Sequence, residues 1–406
     1  MNKQNYKKTF LLGFGFFSIS LTWSIYNSFM PKMLSNYLSS ATLIGFIMTI
    51  DNYFALFIQP TVGNLSDNIN TKFGKRMPFI MIGMPLAALF LFLIPSYTNL
   101  FTLIFFLVFA NLSMSIFRAP VIALMPDLTY PEHRSKANSV INLMGGIGAI
   151  LAYFVGSKLW SKNQAYPFYM AASLMLISLL ILILFIKEKR DVLNYEINLK
   201  AKNSLITNLR SLVKTQKNTL FLLCAICSWF IGYQGIEAFF TLYGEKFLNI
   251  SVPSAVFSFT FMSVSFLIFA IPAGIIGTKL GKKRAISIGI LGLIICFTVL
   301  AFIRDIFIIR IIFIICGMFW SFININSYPF VVDMAPRGEI GTYTGFYYMF
   351  SAIAAIVSPP LLGRTIDLLG YKYMFLYGAG FYLLSFIFII FVKLDNKANL
   401  NFKNHI

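Results

Sequence analysis

Long apolar runs, broken by short polar connections, fill the chain from near its first residue to near its last. A membrane-spanning helix needs about 20 predominantly apolar residues. Runs of that length recur twelve times, at roughly 9–29, 41–62, 77–96, 100–122, 138–160, 166–187, 218–243, 252–277, 284–303, 306–328, 341–365 and 371–393. They predict an all-α polytopic membrane protein with twelve transmembrane helices. The only long polar segment lies between 187 and 217, and it carries eight Lys/Arg with Glu188, Asp191 and Glu196. It divides the pattern into an N-terminal six-helix bundle over 1–190, a cytoplasmic linker over 191–217 and a C-terminal six-helix bundle over 218–406.

The two halves share a plan. Gln59-Pro60-Thr61-Val62-Gly63 followed by Gly74-Lys75-Arg76 in the first half matches Ile271-Pro272-Ala273-Gly274-Ile275-Ile276-Gly277 followed by Gly281-Lys282-Lys283-Arg284 in the second. Ala123-Leu124-Met125-Pro126-Asp127 matches Pro329-Phe330-Val331-Val332-Asp333 in position. Six helices plus six, joined by a basic loop, is the two-bundle plan of a secondary transporter, whose substrate sits near midplane between the bundles. Each repeated loop is short, glycine-rich and basic. Glycine lets helices approach closely, and the cations stay in water beside lipid phosphate. Such a loop reads as a latch whose contacts differ between two conformations, with Asp67, Gly74, Lys75, Arg76 and Arg134 as its members and Asp127 and Asp333 as gate acids paired with latch arginines.

Composition sharpens this reading. Of 406 residues 58% are hydrophobic and only 12% charged, against about 45–50% and about 25% in soluble domains. The excess apolar surface calls for lipid as solvent. Net charge is +19, and its location matters more than its size. With the N-terminus inside, 24 Lys/Arg fall on the cytoplasmic side and 8 on the other, with Arg118 alone inside a span. That bias follows the positive-inside rule and puts both termini in the cytoplasm of a cell with the chain in its cytoplasmic membrane. The basic excess then meets anionic lipid, not nucleic acid. Lys3, Lys7 and Lys8 precede the first run, but that run is too long for a signal-peptide core and eleven more follow it, so it reads as an uncleaved helix.

Catalytic and cofactor chemistry finds little support. Cys224 and Cys227 have C-x-x-C spacing but lie in an apolar run without a second pair, and Cys296 and Cys316 are likewise in apolar runs. His133 and His405 fall in a polar loop and the tail. No phosphate-binding Gly-x-x-x-x-Gly-Lys loop is present, so neither ATP-driven transport, a metal, another cofactor nor an enzyme is expected.

Gly63-Asn64-Leu65-Ser66-Asp67 followed by Gly74-Lys75-Arg76 resembles the loop signature of the major facilitator superfamily. The longer string from Gln59 to Asp67, then Phe73-Gly74-Lys75-Arg76-Met77-Pro78-Phe79-Ile80, is similar to the sucrose-transporter branch, which holds plant sucrose–proton symporters, animal solute-carrier relatives and bacterial disaccharide carriers. Ala123 to Leu128 and Lys136-Ala137-Asn138 fit the same branch. The pattern departs in places. The plant pattern sets an arginine where Ile122 stands, and Arg118 lies one turn earlier. Melibiose-type relatives bind sodium through two carboxylates on the second helix, where this chain has Ala55 and Gln59, so that site is not expected here. The second-half loop has no counterpart of Asp67.

Ionisable groups inside spans are costly and mark function. Asp51, beside Asn52 in the second run, is the candidate proton site, and Arg118 is its expected partner, since a pair that breaks on protonation couples proton to solute. Glu237 and Gln234, three apart on one helix face, follow Tyr233. With Trp23, Tyr26 and Asn27 in the first run, Gln59, Asn111, and Trp320 and Asn324 (near Asn326 and Tyr328) in the tenth, they make the hydrogen-bonding and aromatic groups that sugar pockets combine. The expectation is a monomeric secondary transporter that takes up a di- or oligosaccharide or related glycoside with a proton. A carrier of another solute, such as a drug, peptide or organic ion, is the first alternative, and a non-transporting membrane sensor the second.

Overall fold

The computed structural model describes residues 6–130, 133–188, 216–336 and 339–393. Among them thirteen α-helices make twelve candidate membrane spans, and no strand forms beyond an isolated bridge between Thr71 and Gly74. The first half holds α1 (Tyr6–Ser35), α2 (Ala41–Met48), α3 (Ile50–Asn68), α4 (Met77–Leu93), α5 (Leu100–Leu128), α6 (Arg134–Lys162) and α7 (Tyr166–Phe185). The second holds α8 (Lys217–Lys246), α9 (Val252–Leu280), α10 (Lys282–Leu300), α11 (Ile306–Asp333), α12 (Ile340–Leu369) and α13 (Met374–Phe391). The expected linker over 191–217 lies, but for its last two residues, outside the described residues.

The second apolar run, expected as one helix, is two. At Thr49 the backbone N–H reaches Phe46 O (3.2 Å) and the side-chain hydroxyl donates to the same carbonyl (2.8 Å). Asn52 N then bonds Thr49 O three residues back at 3.0 Å. A hydroxyl that back-bonds to the preceding turn competes with the regular helical ladder. Asp51 consequently stands in the first turn of α3, where the helix dipole favours an anion. The helices also outrun the apolar segments at the basic end: α5 continues to Leu128 and α11 to Asp333, which keeps Asp127 and Asp333 in final helical turns.

The repeat seen in the sequence returns as packing. In the first half α1 packs on α6 and α7, α4 on α5 and α7, and α3 on α5; in the second α8 packs on α12 and α13, α10 on α11 and α13, and α9 on α11. Many large apolar side chains remain exposed, among them Phe101, Phe302, Ile271, Phe307 and Leu184. In water such a surface would be a liability; around a helical bundle it is the face for lipid.

Among the described residues the halves meet mainly through α1 with α8, α2 with α12 and α6 with α9, and more lightly through α3 with α12. Lys32–Glu245 (2.6 Å), Phe154–Phe257 (5.7 Å between centroids) and Tyr153–Phe259 (5.3 Å) belong to them. All lie toward the end opposite the N-terminus, here called the distal end. At the other, latch end, Phe57 on α3 and Tyr348 on α12 are 67% and 62% exposed. Among the described residues nothing lies within 4 Å of where a Cβ on Gly63, Gly341 or Gly345 would stand. The cleft between the halves is thus closed at the distal end and open at the latch end.

Candidate functional site

Two groups of polar side chains stand at mid-span. In the first, α1 presents Trp23 and Tyr26, packed edge to face with centroids 5.4 Å apart. Asn111 of α5, 1% exposed, donates its Nδ2 to the Tyr26 hydroxyl at 3.2 Å. The Arg118 guanidinium lies 5.7 Å from the Trp23 ring centroid, a cation–π distance. Asp51 and Arg118 interact electrostatically, but the expected ion pair does not close. The Asp51 carboxylate takes a hydrogen bond from Asn52 Nδ2 (2.9 Å), while Arg118, farther toward the latch end, is engaged by Trp23 and sees Tyr348 of α12 across the cleft. Among the described residues the Trp23 indole N–H has no hydrogen-bond partner, so this group keeps a free donor beside its cation.

The second group joins the two halves. Glu237 accepts a hydrogen bond from the Tyr153 hydroxyl of α6 (3.3 Å), and Asn27 of α1 reaches the same carboxylate. Asn27, Tyr153 and Glu237 stand eight, nine and nine residues from the distal ends of α1, α6 and α8. At 1.5 Å per residue all three sit roughly 12–14 Å below that end. Glu237 is therefore inside its span, half-buried in the cleft, since α8 runs on to Lys246. One turn earlier, Tyr233 stacks on Trp320 of α11 with centroids 4.3 Å apart and planes 3° apart. Among the described residues Glu237 forms no ion pair.

Other expected members stay apart. Gln234 and Asn324 are half-buried near this group, and Gln59 lies two turns beyond Asp51 toward the latch end; none of the three side chains makes a hydrogen bond among the described residues. Asn326 does not face the cleft: it donates to Ala273 O (3.1 Å) and Phe322 O (2.9 Å) and fills the space left by Gly277, tying α11 to α9.

At the latch end Arg76 is the centre. Its Nε donates to Asp127 Oδ2 (2.8 Å), one Nη pairs with Asp67, and the other donates to Ser66 Oγ (2.5 Å) and Gly63 O (3.3 Å). Burial opposes its charge, yet Asp127 and Asp67 outweigh that and hold its proton more tightly than usual. Gly74 turns the chain into α4 with φ +111°, a conformation that favours glycine, and Glu188 fills the space a Cβ there would need. The Glu188 carboxylate accepts from Arg76 N (3.0 Å) and Met77 N (3.4 Å), capping α4. In the second half Lys282 pairs with Asp333 and donates to Pro329 O (3.3 Å). Both Arg76–Asp127 and Lys282–Asp333 span 51 residues. The partner of Asp333 is thus a lysine and not the expected arginine. Lys75 is exposed and makes no ion pair among the described residues, and Arg134 binds the carbonyls of Pro126 (3.2 Å) and Thr129 (3.4 Å) at the end of α5, outside the acid network.

Tyr153, Glu188 and Lys282 are the members the sequence did not single out. Tyr153 is one hydroxyl among 20 Tyr and 45 Phe, and the other two sit inside charge runs. The four cysteines are free, and no group of metal-ligating side chains forms among the described residues.

Comparison with known proteins gives this geometry a family. The chain is 22% identical over 396 residues to multidrug resistance protein 2 of Bacillus subtilis, covering 95% of this chain and 94% of that protein. It is 25% identical over 175 residues to a sucrose transport protein of Arabidopsis thaliana, a match that spans 37% of this chain and 29% of the plant protein. Its fold is similar to the crystal structure of the nucleoside transporter NupG, with TM-score 0.74, 16% identity and coverage of 96% of this chain and 99% of that one. Residues 12–359 match the model of the Major Facilitator Superfamily, and the chain belongs to that superfamily: it is a membrane transporter of small solutes, not an enzyme.

Proposed function

We propose that this carrier takes up a di- or oligosaccharide or a related glycoside together with a proton, by opening its cleft alternately to the two sides of a cytoplasmic membrane. One observation carries the reading. The Glu237 carboxylate, held between Asn27 and Tyr153, stands one turn from a stacked Tyr233–Trp320 pair. A sugar offers hydroxyls to such acceptors and an apolar ring face to such aromatics. Gln234, Asn324 and Gln59, whose side chains make no hydrogen bond among the described residues, are the proposed further solute contacts, and Tyr26 with Asn111 steadies Trp23.

Asp51 is the proposed proton site, with Arg118 as the cation whose pull on it changes when the proton binds. Arg76 with Asp67 and Asp127, and Lys282 with Asp333, form the proposed gate at the latch end. The clustering of Lys/Arg there supports a cytoplasmic latch end and cytoplasmic termini. A single chain contains the whole cleft and is the proposed working unit. The partial likeness to a plant sucrose transport protein adds to the sugar reading. The longer likeness to a Bacillus multidrug resistance protein favours a second one, in which the solute is a lipophilic drug.

Purified protein in liposomes, given a panel of labelled solutes with and without an inward proton gradient, separates them. Accumulation of a disaccharide that collapses with a protonophore is the expected result. A silent sugar panel with movement of a lipophilic dye would replace sugar with drug as the solute.

A further inference from the structure

The distal closure turns on one carboxylate. Asp367, near the end of α12, reaches the other half and accepts four hydrogen bonds there. Its Oδ1 takes Ala41 N (2.7 Å); its Oδ2 takes Thr42 N (3.0 Å), Ser40 Oγ (2.7 Å) and Thr42 Oγ1 (2.6 Å). Two of these donors are backbone N–H groups of the first turn of α2, which have no helical partner of their own. The dipole of α2 favours the same anion. Directly below, the two backbones touch: a Cβ on Gly363 would meet the Ala41 carbonyl, and one on Gly45 the Pro359 carbonyl. No side chain stands between α2 and α12 at these points, so the carboxylate is aimed by backbone packing and not by a long, adaptable arm.

α2 is only eight residues long and ends at the Thr49 break, so the piece that Asp367 grips is distinct from α3, which carries Asp51. Lys32–Glu245 is a second tie across the same end, but it joins two flexible side chains at 22% and 30% exposure and offers one contact where Asp367 has four.

We propose that Asp367 is the lock of the distal gate: its carboxylate, seated on the N-terminus of α2, holds the halves together there and has to release its four donors before the cleft opens to the distal side. Asp367 lies at the exposed rim, where water replaces lost partners. Its removal therefore shifts the balance between conformations without unfolding the protein. The inference requires only the carrier's two-sided opening and is independent of solute and coupling ion.

Pulsed electron paramagnetic resonance in lipid nanodiscs tests it without any solute. Spin labels at Phe101→Cys and Phe302→Cys, 76% and 77% exposed at the distal ends of opposite halves, report the opening once the four native cysteines are replaced. The parent protein is expected to show a dominant short distance. Asp367→Ala is expected to raise the longer-distance population by about three- to tenfold, the weight of losing charged hydrogen bonds at a wet rim. Ser40→Ala with Thr42→Ala, which removes only the hydroxyl donors, is expected to give a smaller shift in the same direction. Asp333→Ala, at the latch end, is the control and should not lengthen the distance. Parent-like distances in both the Asp367 variant and the double variant would overturn the proposal. If Asp367→Ala fails to fold, the double variant and Asp367→Asn decide it alone.

Discussion

Arg76 shows how much one guanidinium can hold. Its fork reaches two carboxylates, a serine hydroxyl and a backbone carbonyl at once, and lysine has no comparable planar set of donors. Arg76→Ala is therefore expected to lower unfolding stability by about 1–3 kcal/mol, the cost of stranding partly buried acceptors. Arg76→Lys should recover only part of that loss in a thermal unfolding assay; full recovery would reduce the network to a plain charge contact. Tyr153 is a contrasting case, since its ring packs on Phe259 whatever its hydroxyl does. Tyr153→Phe should leave stability unchanged and slow solute exchange by about five- to tenfold, the weight of one hydrogen bond of about 1 kcal/mol. Unaltered exchange would remove Tyr153 from the working site. The residue scale is also where the sequence was least readable. Asp51, Arg118 and Glu237 stood out because a charge inside an apolar run is rare. Nothing in the run distinguished Tyr153, whose importance comes only from the opposite half. The expected Asp51–Arg118 pair did not close because the break at Thr49 and the face of Trp23 each claimed one partner, and neither effect is visible in hydropathy.

Helix limits followed the apolar runs closely, because the thickness of a bilayer imposes them. The exceptions are local. A window average passes over a single hydroxyl, so the division of α2 from α3 was hidden, and polar last turns made α5 and α11 look shorter than they are. The turn into α4 was legible as Gly74-Lys75-Arg76, but its cap was not, since Glu188 comes from the far end of the same half. That turn carries its own expectation. At φ +111° a Cβ is strained, and here it would also displace the Glu188 carboxylate from the first turn of α4. Gly74→Ala should cost about 1–3 kcal/mol, read as a lower unfolding temperature. Glu188→Ala should relieve the steric part but lose the cap, so the double variant is expected to be less impaired than the two single losses added together. Strict additivity would mean that Gly74 and Glu188 do not act on each other.

For the whole molecule, the same five helix pairings in each half and two matching ion pairs 51 residues long show that the repeat is a repeat of contacts and not only of letters. The halves differ where chemistry is needed: the first carries Asp51 and Arg118, the second Glu237 and the Tyr233–Trp320 stack. On the proposed function this asymmetry would separate coupling from recognition, and that can be tested on the intact carrier. If Asp51 takes the proton while Glu237 and its neighbours hold the solute, Asp51→Asn should still exchange labelled for unlabelled solute across a liposome membrane, because exchange requires the loaded cleft to reorient but no net proton movement. The same variant should fail to accumulate solute against its gradient when a proton gradient is imposed. Glu237→Gln should weaken both, since solute binding precedes either process. Uphill accumulation by Asp51→Asn at the parent's level would take the proton site away from α3 while leaving the solute site where it is. Loss of exchange as well as accumulation would join Asp51 to the solute site, and the separation of roles between the halves would fall with it.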